Sequence, residues 1–497
     1  MVLWPAPSFL RAIDRRSALS RSKAPNMEKV LTRNTISYVN EAVKVSGFIN
    51  NVRSHGKVLF FDIRDHSGVL QTVITPKNEY FETAKEIRPE WVVEITGTIK
   101  ERPEKMKNEN IETGEVEMEI DSIHVLSKAR TIPFSVSSDG YEVNEELRMK
   151  YRYVDLRRER MKENLKMRHK SILHCRNFLH EKGFLEIETP VLTKSTPEGA
   201  RDFLVPSRLH SGSFYALPQS PQQYKQLLMV AGMERYFQFA RCFRDEDLRA
   251  DRQAEFTQLD IEMSFVERDE MLDLVEEMVI ELIEILFPEK KIKEKPFPRI
   301  AYKDAMEEWG SDSPDLRNDK EDENELAFAF IVDFPMFEKN EDGKWGTVHH
   351  PFTRPDTDDP EKIKSNPGEI LGLQYDLVLN GNEIAGGSIR SHDPEILRAV
   401  FEVLGHSDEE TKNKFGHLLE AFSYGVPPHG GIAFGFERLL MVLRNEKNIR
   451  EVMAFPKTGD GRGLTMGTPS SDIEKKQLRE LGIRVVKEND DEKGDQA

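Results

Sequence analysis

Cysteine is nearly missing from this chain of 497 residues: Cys175 and Cys242 are the only two. Two thiols cannot build a disulfide framework, and each sits where a small core residue fits. A reducing compartment, with the cytoplasm as the expected location, follows. Long apolar runs are missing too. Hydrophobic residues make up 38% of the chain, yet no stretch approaches the roughly eighteen consecutive apolar residues that a membrane span requires, so none is predicted. Positive charge is short as well. With 71 Lys and Arg against 88 Asp and Glu, the formal net charge is −17, which argues against a nucleic-acid binder held by bulk positive charge. An RNA partner would have to be met by a local basic face and by stacking.

The length allows two to four domains. Residues 1–26 form an extension with Arg11, Arg15, Arg16, Arg21 and Lys23 against a single Asp14. That composition is expected to be either disordered or an organellar transit peptide, the second giving the alternative location. Residues 27–128 read as short alternating strands broken by Gly47, Gly56, Gly68 and Gly97, the pattern of a small β-barrel of the oligonucleotide-binding (OB) type. A linker is expected over 129–145 and a larger α+β domain over 146–486, with a short charged insertion near 288–326. Between Glu267 and Glu325 lie about twenty carboxylates, a composition that belongs on solvent. Residues 487–497 read as a charged, disordered tail.

The centre of the larger domain is a hairpin. Residues 236–243 and 255–265 alternate apolar and polar at period two, and the stretch between them carries Arg244, Arg249 and Arg252 among Asp245, Glu246, Asp247 and Asp251. Arginine forks suit phosphate and carboxylate, and acidic neighbours can hold those forks in place. On the returning strand Gln258, Asp260 and Glu262 share one face and Leu259, Ile261 and Met263 the other, so a polar ligand floor is expected.

FRDEDLRADRQAEFTQLD, residues 243–260, resembles motif 2 of the class II aminoacyl-tRNA synthetases, and in detail that of the bacterial-type aspartyl-tRNA synthetases of subclass IIb. GFLEIETP at 183–190 resembles motif 1 and GIAFGFERLL at 431–440 motif 3, with QSPQQYKQ at 219–226 agreeing. The resemblance runs over about residues 43–471, and three ordered motifs make it specific. It implies an OB-fold anticodon barrel followed by a catalytic antiparallel sheet flanked by helices, working as a homodimer through the motif 1 helix and strand. The whole domain that bacterial relatives usually carry between motifs 2 and 3 is reduced here to the short insertion.

The resemblance also assigns roles. Arg244 would clamp the α-phosphate of ATP, with Asp245, Glu246 and Gln253 on the nucleotide and Arg438 on the triphosphate tail, alongside Gly435, Phe436 and Glu437. Lys225 and Arg390 would flank the side chain of aspartate, with Gln222, Glu198, His349 and His350 nearby and Asp260 facing the ammonium. Asp202, in the loop that closes over the amino acid, is a further candidate. Arg53, Phe60 and Gln71 would read the anticodon; apart from the family, Phe60 reads more naturally as core. Motif 3 here has Glu437 where bacterial aspartyl enzymes usually have Asp.

One site follows from spacing. Asn380-Gly381 is a strong two-residue hairpin signal, so Val378 should face Glu383 and Asp376 should lie diagonally from Glu383 on the same side. Two carboxylates sharing a face can hold Mg²⁺ on ATP. Glu383 and Arg390 are seven apart and would face opposite ways on a regular strand, so a β-bulge is expected at Gly386-Gly387. His349 and His350, being adjacent, point apart and make a poor zinc pair.

The implied reaction is ATP-dependent activation of L-aspartate to aspartyl-adenylate, then transfer to the 3′ end of tRNA-Asp, with tRNA-Asn open as a second acceptor. Arg244, Glu383 and Arg438 would carry the catalysis. Asparaginyl- or lysyl-type synthetases and a non-catalytic RNA-binding paralogue are the alternatives. An ammonia-dependent asparagine synthetase would lack the barrel.

Overall fold

The computed structural model describes residues 27–195, 200–340 and 342–486. It divides into two compact units at Ser135/Val136. No helix among the described residues is long and apolar enough to cross a membrane.

In the first unit, strands β1 (Ala42–His55), β2 (Val58–Arg64), β3 (Val69–Ile74), β4 (Val92–Glu101) and β5 (Val116–Ser127) close into a barrel in the order β1-β2-β3-β5-β4. Alternation does the work: Val45, Phe61, Ile63, Leu70, Ile95 and Ile99 point inward and are fully buried, while the residues between them face out. Phe60 is one of the outward set. It is half-buried, opposite Arg53 on β1 and Val73 on β3. Arg53 donates to Asp62 Oδ1 (2.7 Å) and Gln71 Oε1 (3.0 Å), and Gln71 Nε2 donates to Glu117 Oε2 (2.8 Å). The three predicted anticodon residues therefore share one outer face of the barrel.

The second unit is built on an eight-stranded sheet. Its strands are β6 (Leu185–Glu186), β7 (Arg235–Phe243), β8 (Glu255–Ser264), β9 (Arg299–Ala301), β10 (Phe328–Pro335), β11 (Leu371–Leu379), β12 (Asn382–Ile389) and β13 (His429–Gly435). They run in the order β9-β10-β11-β12-β13-β8-β7-β6. The central strands pair antiparallel, as expected, but β6 joins β7 and β9 joins β10 in parallel, so the sheet is mixed at both edges. Strand β9 comes from the stretch read as a charged insertion. Phe297, just before it, is buried and stacks on Phe328 with ring centroids 4.5 Å apart, so that stretch contributes to the core as well as to the surface.

Helices cover one face of the sheet. Helix α1 (Glu159–Glu181) stops at Gly183, whose φ of 81° suits a C-cap. Helix α3 (Arg268–Leu286) opens with a capping box between Glu267 and Glu270. Phe178 and Leu179 of α1 and Met271, Leu272 and Val275 of α3 pack against Phe237, Leu259 and Ile261 of the sheet in one buried cluster. The other face stays polar and carries helix α2 (Gln222–Val230) at one side.

The hairpin β11–β12 turns at Asn380 and Gly381, both at positive φ (49° and 78°), the geometry of a type I′ turn. Val378 faces Glu383 as predicted. The bulge exists but lies earlier than expected: the register steps from Val378↔Glu383 to Leu377↔Ala385, leaving Ile384 as the extra residue. Ile384 and Ala385 are both buried in the same apolar cluster, so burying two successive side chains on one side, rather than glycine permissiveness, sets the position. The phase reset is complete, and Asp376 faces Gly386.

Gly431 on β13 faces the polar side between Glu262 and Ser388. A Cβ there would sit 1.9 Å from Glu262 Oε2 and 2.2 Å from Ile261 O. Gly431→Ala is therefore expected to destabilise the second unit by about 1–3 kcal/mol or more, read as a lower urea midpoint; an unchanged midpoint would show that the strands open without strain.

Candidate active site

The polar face of the sheet floors a cavity of about 350 Å³, within the range of small-molecule sites. Its wall includes Gln222 and Lys225 from α2, Arg244 and the loop residues Glu246, Asp251, Arg252 and Gln253, Gln258 and Asp260 from β8, Glu383, Gly386 and Arg390, His349 and His350, and Gly435, Glu437 and Arg438. Residues more than two hundred positions apart in sequence thus converge on one space.

At one end four charges interlock. Lys225 Nζ lies 2.5 Å from Asp260 Oδ1 and 3.2 Å from Glu262 Oε2. Arg390 binds Glu262 with a fork, Nε to Oε1 at 2.9 Å and Nη2 to Oε2 at 3.0 Å, and its Nη1 is 2.7 Å from both Ser388 Oγ and His350 Nε2. All four charged side chains are buried. Burial pushes the Glu262 carboxyl up, but the Arg390 and Lys225 cations overcome it and hold it down at about 2. Asp260 goes the other way: burial outweighs Lys225 and raises it. Its Oδ2 is buried with no hydrogen-bond partner among the described residues, an unfilled acceptor beside the cavity.

Toward the other end, Arg244 lies over the Phe256 ring, 5.2 Å from its centroid. Arg438 stands in the first turn of helix α4 (Phe436–Leu443), where backbone N–H groups favour anions. It donates to Glu383 O (2.5 Å) and pairs with Asp251 Oδ2 (3.0 Å), and its Nε is buried without a partner among the described residues. The charged loop rests on the chain after α4: Ile449 N donates to Ala250 O (3.0 Å) and Lys457 N to Gln253 Oε1 (2.8 Å).

Asp376 and Glu383 share a side, as the turn predicts. A Cβ on Gly386 would stand 2.9 Å from Asp376 Oδ1 and 3.4 Å from Glu383 Oε1. Burial, then the like charges of Glu383 and Asp312, raises the Asp376 carboxyl well above its usual range, so the pair suits a cation. Among the described residues no cluster of three or more His, Cys, Asp or Glu is placed to hold a metal. A Mg²⁺ that keeps waters and takes phosphate oxygens requires only one or two carboxylates.

Four expected contacts fall differently. Phe436 is fully buried against Phe239, edge to face at 5.2 Å; it follows Gly435 into the helix and packs in the core instead of on a nucleotide. Asp245 is not in the cavity wall and lies 3.8 Å from Arg201. Glu437 borders the cavity, but its carboxylate is bound to Arg168 (2.8 Å) and to Thr257 N (3.0 Å), locking α4 to β8. Asp202 accepts from Ser195 and Gln219. Glu198 lies outside the described residues.

Sequence reasoning missed Ser388, Gln226 and His429, and placed Glu262 on the floor without a partner. Signals existed for three of them. Ser388 is two residues before Arg390 on a strand, and Gln226 is one helical turn after Gln222. His429 shares the alternation of Gly431. The pairing of Glu262 with Arg390 depends on a strand order that no local pattern reveals.

His429 and His350 are held neutral. Burial is the main cause for both, taking His429 to about 4 and His350 well below its ordinary value, with Arg390 adding in each case. An unfolded histidine titrates near 6.5, so below that pH the unfolded chain binds more protons. The stability from neutral burial is full above about pH 6.5 and is lost as pH falls toward 4. Between pH 7 and 5, His429 alone should remove on the order of 2 kcal/mol. Urea melts of the protein and of His429→Gln at both pH values test this; equal pH dependence in the two would refute it.

A family model described as tRNA synthetases class II (D, K and N) matches residues 144–459, and one described as an OB-fold nucleic acid binding domain matches residues 43–126. An aspartate–tRNA(Asp/Asn) ligase of Syntrophomonas wolfei is 42% identical over 577 aligned positions, covering 90% of this chain and 98% of the relative. One from Natranaerobius thermophilus is 41% identical, covering 91% and 98%. The first alignment is longer than this chain, so the relative carries segments with no counterpart here. In fold, the chain is similar to an asparaginyl-tRNA synthetase from Pyrococcus horikoshii solved with asparaginyl-adenylate (TM-score 0.70, 23% identity, 87% of this chain and 98% of that one). It is also similar to an aspartyl tRNA synthetase from Entamoeba histolytica (TM-score 0.69, 22% identity, 92% and 98%). The chain belongs to the class II tRNA synthetases of the D, K and N group and is an aminoacyl-tRNA ligase.

Proposed function

We propose that the enzyme is an aspartate–tRNA ligase that activates L-aspartate with ATP and transfers it to tRNA-Asp. The observation that carries this reading is the interlocked cluster of Lys225, Arg390, Asp260 and Glu262 at the end of the cavity. A lysine ammonium has three donors and a guanidinium five. Lys225 uses its ammonium on Asp260 and Glu262, and Arg390 is held rigidly by Glu262, Ser388 and His350. Each cation retains one donor for the side-chain carboxylate of aspartate. Asparagine would set an amide N–H₂ against one of those donors, leaving a buried charge unmatched. Asp260 Oδ2 is the acceptor for the substrate ammonium. The names of the relatives support the same amino acid.

In the first step the α-carboxylate of aspartate attacks the α-phosphorus of ATP; the bond to the β-phosphate breaks and pyrophosphate leaves. In the second a terminal ribose hydroxyl of the tRNA attacks the activated carbonyl and AMP leaves. No protein nucleophile is required, so the residues act by alignment and charge neutralisation. Arg244 lies on the α-phosphate and Arg438 on the far end of the triphosphate, held there by Asp251 and the Glu383 carbonyl. Glu246 and Gln253 border the adenosine. Asp376 and Glu383 would hold Mg²⁺, which when bound supplies charge neutralisation to the phosphates. The outer face of the barrel with Arg53, Phe60 and Gln71 is the anticodon surface, on which a half-buried aromatic offers a stacking platform. We assign the homodimer contact to the β6 edge, where Leu185, Val191 and Leu192 are exposed.

Pyrophosphate exchange tests the substrate. Aspartate should support it, and asparagine or lysine should be at least about 10³-fold poorer; comparable exchange with asparagine would overturn the reading. Aspartylation of purified tRNA-Asp and tRNA-Asn then decides the acceptor.

Lys225→Met should reduce aspartate-dependent exchange to background in a folded protein, because Glu262 keeps Arg390. Arg390→Leu leaves the buried Glu262 carboxylate with Lys225 alone and should also cost about 3–5 kcal/mol of stability. Near-normal activity in Lys225→Met would refute the pocket. Arg244→Ala is expected to slow exchange by about 10²–10³-fold.

A further inference from the structure

Behind the cavity a line of hydrogen bonds fixes which end of a side-chain amide faces the substrate. It starts at a backbone carbonyl, Pro427 O, 2.8 Å from His429 Nδ1. A carbonyl can only accept, so Nδ1 carries the proton, and in a neutral imidazole Nε2 must then be an acceptor. Gln226 Nε2 lies 3.2 Å from it and donates. That turns Gln226 Oε1 toward Gln222, whose Nε2 donates to it at 3.1 Å. Gln222 lines the cavity, and its carbonyl oxygen is then the end left without a partner among the described residues. Each link is buried, Gln226 and His429 completely so, and the Phe422 ring meets the imidazole edge to face at 6.1 Å. Burial keeps the ring neutral, at about 4.

We infer that Gln226 and His429 are positioning residues that lock Gln222 as an acceptor for the substrate ammonium, paired with the unfilled Asp260 Oδ2. Either amide alone could rotate end for end at little cost, presenting N–H₂ to a cation. The carbonyl anchor removes that freedom, because reversing one amide reverses both and sets the Gln226 carbonyl oxygen, an acceptor, against the acceptor Nε2 of His429. The inference rests on the aspartate reading and adds to it the origin of selectivity for the amino group.

The test is pyrophosphate exchange with succinate as competitive inhibitor, since succinate is the aspartate skeleton without its ammonium. In Gln226→Met, and independently in His429→Phe, the KM for aspartate should rise about tenfold or more. The KM for ATP and the Ki of succinate should stay within about twofold. Adding Gln222→Glu to Gln226→Met supplies an acceptor that cannot be reversed and should recover most of the loss. Equal weakening of aspartate and succinate would mean general damage to the pocket and would overturn the inference. So would an unchanged aspartate KM, or a double variant no better than the single one. Absence of aspartate-dependent exchange in the unaltered enzyme is a different result, which would overturn the aspartate reading and the relay together.

Discussion

The site depends on one buried interaction, the fork of Arg390 on Glu262. These residues lie at the two sides of β13, and a carboxylate on β8 can reach a guanidinium at the end of β12 only if the strand between them presents no side chain. Gly431 meets that requirement: the space of its missing Cβ is where Glu262 Oε2 lies. Removing Glu262 would leave Arg390 buried without its paired carboxylate, and removing Arg390 would leave Glu262 buried with Lys225 alone. The pair is costly to desolvate, and its return is geometric. Arg390 cannot swing, and Lys225, sharing Glu262 with it, cannot swing either.

The same economy of side chains recurs along the floor. Gly386 leaves room for the Asp376 and Glu383 carboxylates to approach each other, at the expense of raising the Asp376 carboxyl. Gly435 ends β13 and lets α4 begin with its N–H groups toward the cavity, and Glu437 fixes that helix to β8 through Thr257 and Arg168. Ligand space on this face is made by glycines, and precision by charged groups that neighbouring strands hold in place. The apolar face beneath, from Phe237 to Phe436, packs against helices in one buried cluster.

Much of this is legible in the sequence because its causes are local. Period-two alternation marks β7 and β8, Asn-Gly marks the type I′ turn, and the switch from GIAFG to an apolar helical pattern marks the junction of β13 and α4. Local patterns also place Gln258, Asp260 and Glu262 on one face. Tertiary causes are not written locally. The parallel edges of the sheet, the turning of Phe436 into the core and the diversion of Asp245 to Arg201 each depend on a partner remote in sequence. The bulge is intermediate. Its existence followed from requiring Glu383 and Arg390 to face the same way, but its position was set by the apolar pair Ile384-Ala385, which both had to be buried.

In the proposed aspartate-activating site the two ends of the cavity face different physical problems. The nucleotide end must neutralise several charges without being specific for any one of them, and it uses long side chains on a loop, where Asp251 on Arg438 and Glu246 near Arg252 keep the forks in place at moderate exposure. The amino-acid end must distinguish a carboxylate from an amide of the same shape. A flexible cation could not do so, because it would follow whichever ligand arrived. Rejection requires donors that cannot move and cannot be shared with water. That is why the charges there are buried, set on the sheet and on α2 and backed by neutral histidines; burial raises Asp260, while Arg390 and Lys225 hold Glu262 ionised against it. Two carboxylates two residues apart on one strand have been driven in opposite directions by their neighbours, the one held down by two cations and the other raised by burial, with an oxygen that no described residue fills.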